Sequence, residues 1–135
     1  NVSQSAGATA HGGTIIINGN ASSRCGISLK GADLIVKGSV GHMSAFMAQS
    51  GTLLVCGNAG EALGDSIYET VIYLAGKPKS LGVDCEEKTI TKKDLKKIDE
   101  LLKIGNIKNI KANKFKKYGS ARKLYNFKID NISDY

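Results

Sequence analysis

Three cysteines and two histidines are the side chains most able to perform chemistry, and their spacing argues against a shared site. Cys25, Cys56 and Cys85 form no C-x-x-C pair, and neither His11 nor His42 supplies the missing nearby ligands. Zinc and iron–sulfur sites need ligands at short, regular spacing. We therefore expect buried, reduced thiols and no metal site. Free thiols without a visible secretory segment also favour the cytoplasm.

No nucleophile in the chain is accompanied by a clearly positioned base. His42 could act as a general base with Ser44 or Glu61, but a Gly-His-Met corner favours a turn or an interface residue. The glycine-containing runs at 12–13 and 57–60 do not lead into a helical pattern, and the chain has no G-x-x-x-x-G-K-S/T string. The sequence therefore predicts no catalytic residue and no cofactor bound by this chain.

A 19-residue repeat predicts the secondary-structure elements on which any functional site would lie. Four glycines lie 19 residues apart, three times running: Gly19, Gly38, Gly57 and Gly76. Each ends a short apolar run rich in β-branched residues, which predicts a strand. A fixed period of this size is typical of a solenoid in which each repeat forms one coil. We expect the glycines to turn the corners by adopting positive φ. The residues after them include asparagines, which can close a corner by bonding to the backbone: Asn20, Ser39, Asn58 and Lys77.

Alternation along the four strands separates an inner face from an outer face. Two aliphatic columns are expected inside the solenoid: Ile15, Leu34, Leu53 and Ile72, and Ile17, Val36, Val55 and Leu74. The column between them should face outward although it is also apolar: Ile16, Ile35, Leu54 and Tyr73. Four adjacent apolar side chains on an outer face require a cover. We therefore predict that this column is an interface, covered by the chain's own tail or by another subunit.

After the fourth repeat the 19-residue period fails. Thr91 predicts the N-cap of a helix, with Asp94 completing a capping box, and Gly105 predicts its end. We expect this helix to cap the open end of the solenoid and the remaining residues to form an extended arm on a surface. The predicted domains are a parallel β-helix over 1–85, with truncation at its N-terminal end left open, and a capping helix with a C-terminal arm over 86–135.

The formal net charge of +7 lies wholly in the segment 86–135, which has fourteen basic and seven acidic side chains. Such a surplus could mark a face for nucleic acid or another anion. Because the lysines alternate with Asp and Glu and no nucleic-acid motif is present, a solvated tail is favoured. No apolar stretch approaches the roughly 18 residues of a membrane span. We expect neither nucleic acid nor a membrane as partner. An independent anion- or nucleic-acid-binding module stays open as an alternative function.

Two parts of the sequence resemble the GXGXG domain family. The first comprises 38–43, 51–60 and 64–68, and the second is 115–127, which is similar to the tail of stand-alone, synthase-type subunits. This domain is the C-terminal part of the glutamate synthase large subunit. It is also a separate subunit in archaeal and some bacterial glutamate synthases and their N-methylglutamate synthase relatives, and it occurs in one of the subunits of formylmethanofuran dehydrogenase. No literal G-x-G-x-G string occurs in this chain.

The resemblance implies an all-β fold, a right-handed parallel β-helix, that serves as a scaffold and has no catalytic residues. In the glutamate synthases its neighbours are an amidotransferase, which releases ammonia from glutamine, and an FMN and iron–sulfur barrel, which reduces an iminoglutarate. We therefore expect an archaeal-type structural subunit for glutamate biosynthesis, with FMN and iron–sulfur clusters in its partner subunits. A homo-oligomer and a structural subunit of formylmethanofuran dehydrogenase stay open.

Overall fold

The four repeated apolar runs form parallel strands of a single sheet. The computed structural model describes residues 13–21, 32–41, 51–64, 70–83 and 85–121. The strands are β1 (Thr14–Ile17), β2 (Ala32–Val36), β3 (Gly51–Val55), β4 (Val71–Leu74), β5 (Cys85–Lys88) and β6 (Lys116–Ser120). A helix, α1 (Lys92–Ile104), and a 3-10 turn (Ala112–Lys114) lie between β5 and β6. The sheet has the order β1-β2-β3-β4-β6-β5, so the described chain is mostly β with one α-helix.

The register of β1 to β4 reproduces the 19-residue repeat. Ile35 pairs in parallel with Ile16 on one side and with Leu54 on the other, and Leu54 pairs with Tyr73. Isolated parallel bridges outside the strands keep the same spacing: Val40 to Ala59 and Ala59 to Pro78. Each repeat therefore advances the chain by one strand, as the glycine spacing predicts.

The inner face of the sheet carries the main core. Seven members of the two predicted inner columns are buried there: Ile17, Leu34, Val36, Leu53, Val55, Ile72 and Leu74. Val36 and Val55 pair directly and are both fully buried, which confirms the column assignment. The prediction is wrong for Ile15, which is 36% exposed. In the described sheet β1 is an edge strand with a neighbour on one side only, so its side chains are less enclosed.

Helix α1 covers the outer face of the sheet, which corrects the prediction that it caps the end of the solenoid. Its apolar stripe packs against the outer column of β2 to β4, and Lys97 forms an ion pair with Asp33 of β2 at 3.0 Å. Strand β6 pairs antiparallel with β4 and thereby occupies the strand edge that the helix was expected to protect. An amphipathic helix buries its stripe on an available apolar surface, and the outer column offers one.

Both predicted ends of α1 are confirmed. The Thr91 hydroxyl accepts from the Asp94 N–H at 3.2 Å, and the Asp94 carboxylate accepts from the Thr91 N–H at 2.8 Å, which completes the capping box. At the other end Gly105 keeps a right-handed φ of −79°, and Asn106 adopts the positive φ of 57°. A Cβ on Gly105 would lie 3.3 Å from Cγ2 of Ile35, so this glycine permits close packing of the helix on the sheet.

Within the described ranges, none of the helical structure is long and apolar enough to cross a membrane, since α1 has only 13 residues.

Candidate interface site

The glycine ladder lets successive repeats approach each other closely. A Cβ on Gly38 would lie 2.8 Å from the carbonyl of Gly19, and one on Gly57 would lie 2.9 Å from the carbonyl of Gly38. On Gly76 it would lie 2.5 Å from the Gly57 oxygen. The backbone N–H groups of these three glycines donate to the same carbonyls at 2.8–2.9 Å. Of the four glycines only Gly19 has a positive φ. The predicted reason, positive φ at the corner, is therefore wrong for the other three, where close backbone contact excludes a side chain.

A second ladder at the corner fixes the residues that follow the glycines. The Asn20 side-chain oxygen accepts from the Ser39 N–H at 2.7 Å, and the Ser39 hydroxyl accepts from the Asn58 N–H at 2.9 Å. The Asn58 side-chain oxygen accepts from the Lys77 N–H at 2.9 Å. We call Asn20, Ser39 and Asn58 the corner ladder. Its bonds confirm that short polar side chains close the corner, each one reaching the backbone of the next repeat.

Three of the four residues predicted as an interface are covered by the chain itself. Ile35 and Leu54 are fully buried and Tyr73 is 3% exposed, whereas Ile16 on β1 is 39% exposed. The covering side chains come from α1 and from the segment after it: Ile98, Leu101, Leu102 and Phe115. The sequence left open whether the tail or another subunit supplies the cover, and for these three residues the chain supplies it. The part of the outer column that stays accessible is Ile16.

A buried carboxylate fastens α1 to the sheet beside the outer column. Asp94 is 6% exposed, the only buried charged group in the described part of the chain. One of its oxygens accepts from the Tyr73 hydroxyl at 2.6 Å. The other accepts from the Thr91 N–H at 2.8 Å, from the Thr91 hydroxyl at 2.9 Å and from Lys117 Nζ at 3.0 Å. We call Asp94, Tyr73, Thr91 and Lys117 the anchor cluster. It joins α1, β4 and β6.

The electrostatics of the anchor cluster favour the ionised form of the Asp94 carboxylate. Burial by itself would raise the pKa of Asp94, but the hydrogen bonds from Tyr73, Thr91 and Lys117 outweigh it and hold that pKa at about 2. Burial raises the pKa of Tyr73, and its hydrogen bond to Asp94 and the nearby negative charge raise it further. The carboxylate is ionised with both oxygens engaged, so the arrangement suits attachment of the helix and not proton transfer.

The sequence indicated only part of the anchor cluster. The capping box predicts the contact between Thr91 and Asp94 because those residues are three apart. Tyr73 and Lys117 are 21 and 23 residues from Asp94, and nothing local in the sequence brings them together. The available signal was the outward position of Tyr73 in a column that otherwise holds aliphatic residues, since a buried tyrosine hydroxyl usually needs a polar partner.

The two described cysteines, Cys56 and Cys85, form no disulfide with a described residue. Burial raises the pKa of Cys56 to about 11, against the opposing effect of Lys37, so its thiol stays protonated at neutral pH. No group of three histidine, cysteine, aspartate or glutamate side chains that could hold a metal occurs among the residues that the structure describes. Cys25, His11 and His42 lie outside those residues.

The 19-residue repeat, with its parallel strands and close glycine contacts, defines a class of repeat β protein. Comparison with known families identifies the group within that class. The model of the GXGXG motif family matches residues 4–131, and the chain therefore belongs to that family. It is 59% identical over 96 residues to Protein GlxC of Rhizobium meliloti (strain 1021). The match spans 71% of this chain and 42% of GlxC, so it covers less than half of that relative. Comparison with solved structures gave no match.

Proposed function

We propose that this chain is a non-catalytic structural subunit or domain of a glutamate synthase-type complex in the cytoplasm. There it would support an amidotransferase and a synthase subunit that binds FMN and iron–sulfur clusters. Two lines support the link to that complex: membership of the GXGXG family over residues 4–131, and the similarity of 115–127 to the tail of stand-alone, synthase-type subunits. The whole activity belongs to the complex, and this chain contributes shape and contact surface.

The main observation that supports the structural role is the 19-residue register of the strands, together with the glycine contacts between repeats. Successive repeats approach so closely at Gly38, Gly57 and Gly76 that a Cβ would lie 2.9 Å or less from backbone atoms of the preceding repeat. Fully buried aliphatic side chains stack beside these contacts. A stack of this kind is rigid because each described strand and corner contacts the next through paired backbone and packed side chains. Rigidity suits a scaffold that must hold two catalytic subunits at a fixed separation.

The architecture that best accounts for the parallel strands is a right-handed parallel β-helix over 1–85. The parallel bridges at Val40–Ala59 and Leu63–Leu81 support it, because they stack a second line of backbone outside the strands. Connections between neighbouring parallel strands are right-handed in almost all proteins. In this arrangement α1 lies on the outer face, β5 crosses the boundary between 1–85 and 86–135, and β6 pairs with β4 at the end of the sheet.

Co-expression with the products of neighbouring reading frames tests the proposed function. We expect the full chain to co-elute with an amidotransferase and an FMN-binding subunit. Omitting it should lower glutamine-dependent glutamate formation at least tenfold, while the chain alone hydrolyses no glutamine and retains no flavin. Retention of FMN at micromolar concentration, or glutaminase activity above background, would contradict the non-catalytic role. Co-elution with a molybdenum or tungsten enzyme would instead assign the chain to formylmethanofuran dehydrogenase.

One substitution tests whether the accessible end of the outer column contacts a partner. Ile16→Lys places a charge at a 39% exposed position, so it should leave folding intact and weaken co-elution with the synthase subunits. Ile104→Lys is the matched control, because Ile104 is an exposed apolar residue at the end of α1, 52% accessible. Equal co-elution of both variants and the parent chain would exclude Ile16 from the interface.

A further inference from the structure

A cationic groove lies at the junction of the last corner with β5 and β6, at the end of the sheet opposite β1 and Ile16. Its charged side chains come from four separate segments: Lys77, Glu87, Lys114 and Lys116. Pro78 and Leu81 form part of its apolar wall. The sequence showed the basic surplus of the C-terminal segment but did not show that it meets Lys77 of the repeat region at one place.

The backbone holds the three lysines of this groove in fixed positions. The Lys77 N–H donates to the Asn58 side chain, the last bond of the corner ladder. Lys114 ends the 3-10 turn, and the next residue, Phe115, is 3% exposed and anchors it in the core beneath α1. Lys116 begins β6 in register with Leu74. The three charges are therefore held by ordered elements and not by a loose tail.

Alternation along β6 separates Lys116 from its neighbour Lys117. Lys117 lies opposite Tyr73 and reaches Asp94 on the outer side of the sheet. Lys116 lies opposite Leu74, so it falls on the other side, together with Tyr118 and the groove. Only one of these two adjacent lysines is thus used to anchor α1.

The charges of the groove are not balanced within the described chain. Ion pairs join Lys88 to Glu86, Lys97 to Asp33 and Lys117 to Asp94. None of the three groove lysines forms an ion pair with a described residue, and all three are exposed. Against them the groove has one carboxylate, that of Glu87. Three positive charges and one negative charge leave a net charge of +2, which complements an acidic ligand.

The apolar wall and the buried aromatic residues favour a protein segment over a nucleic acid. Leu81 is 36% exposed and offers a contact for an apolar side chain. Single-stranded nucleic acids are held by exposed aromatic side chains on which bases stack. The described aromatic residues are not available for stacking, because Tyr73, Phe115 and Tyr118 are each 4% exposed or less.

From this geometry we propose that the groove binds an extended acidic segment of a partner protein. Carboxylates of the segment pair with Lys77, Lys114 and Lys116, and an apolar side chain contacts Leu81. Glu87 repels carboxylates at its own end of the groove and so limits the registers in which the segment can bind. This site is distinct from the accessible end of the outer column, and it stands whether or not the partner belongs to a glutamate synthase.

The test uses the full chain and a labelled peptide, acetyl-Glu-Glu-Leu-Glu-Glu-Leu-Glu amide, followed by fluorescence anisotropy. Salt is kept at about 0.05 M, where screening is weak because the Debye length exceeds about 10 Å. The groove variant carries Lys→Gln at Lys77, Lys114 and Lys116. The matched control carries Lys→Gln at three exposed positions of α1 and has the same net charge: Lys92, Lys93 and Lys96.

We expect the groove variant to bind the peptide at least tenfold more weakly and the control variant to bind within twofold of the parent. Leu81→Ser should weaken this peptide at least threefold and leave an all-glutamate peptide unchanged. Equal losses in the two triple variants would overturn the proposal in favour of diffuse charge attraction, and an undetectable parent interaction would also overturn it. Tighter, groove-dependent binding of a dT12 oligonucleotide would overturn it in favour of nucleic acid.

Discussion

Replacing Asp94 by Asn should remove much of the polar attachment of α1 to the sheet. The carboxylate accepts bonds from Tyr73 and Thr91 and pairs with Lys117 at 3.0 Å. These interactions lower its pKa from 3.8 to about 2. One pKa unit corresponds to about 1.4 kcal/mol, so the folded state gains about 2–3 kcal/mol from ionised Asp94. Asparagine still accepts from Tyr73 but directs an amide donor toward the donors of Thr91 and Lys117. We expect Asp94→Asn to lower the free energy of unfolding by about that amount.

The pH dependence of this loss of stability distinguishes the loss of a charged interaction from a general packing defect. Since the folded-state pKa of Asp94 is below its ordinary value, the stabilisation is complete above about pH 4 and is lost as the pH falls through about 2. Urea unfolding of the full chain, followed by circular dichroism from pH 7 downward, measures the difference between parent and variant. Asp99→Asn on the exposed side of the same helix is the matched control and should change stability by no more than about 0.5 kcal/mol. An Asp94→Asn deficit no larger than that of the control, or one that persists unchanged to about pH 2, would refute this account of the anchor cluster.

The same urea experiment tests three further substitutions, two of them against a matched control variant. Gly57→Ala should cost about 1–3 kcal/mol, because its Cβ would lie 2.9 Å from the backbone of the preceding repeat. Gly119→Ala, whose Cβ would meet its nearest side chain at 3.5 Å, should be nearly neutral, and equal costs would contradict the close-contact role. Leu54→Ala should cost about 2–5 kcal/mol and Ile16→Ala much less, since only Leu54 is covered by α1. Val55→Asp should abolish cooperative unfolding by burying an unpaired carboxylate, and an unchanged midpoint would mean that Val55 is not in the core.

The sequence predicted the parts of the fold that repeat or are local. The register of β2 against β3 follows from the identical spacing of apolar residues in both strands, and Val36 and Val55 meet as that spacing requires. The capping box at the start of α1 is equally local, because Thr91 and Asp94 lie within one helical turn. In both cases the two interacting residues lie at a separation in the sequence that is known in advance, so the contact can be predicted without the rest of the chain.

The position of α1 could not be obtained in the same way. Its stripe, with Ile98 and Leu101, shows that one face of the helix must be buried but does not identify the surface that buries it. Two surfaces were available to bury this stripe, namely the end of the strand stack and the outer column. Pairing of β6 with β4 satisfies backbone groups at the end of the stack, and the outer column then receives the helix. Strand β6 itself is short and lysine-rich, and it is a strand because of its antiparallel partners.

Strand β6 contributes both to the fold, through Lys117, and to the proposed binding groove, through Lys116. In β2 to β4 the side chains on both faces of the sheet are packed in the two cores, and the glycine and corner ladders are formed by backbone and short polar groups. Charged side chains lie where the repeat ends, and those of β6 point to both faces of the sheet. Lys117 pairs with Asp94 and holds α1, whereas Lys116 lies in the groove with Lys77 and forms no ion pair with a described residue. The anchor cluster therefore holds in place the strand that carries a groove lysine. Recognition is accordingly expected at the two ends of the sheet, at Ile16 on β1 and where the non-repeating segment joins the last repeat, because β2 to β4 have both faces buried.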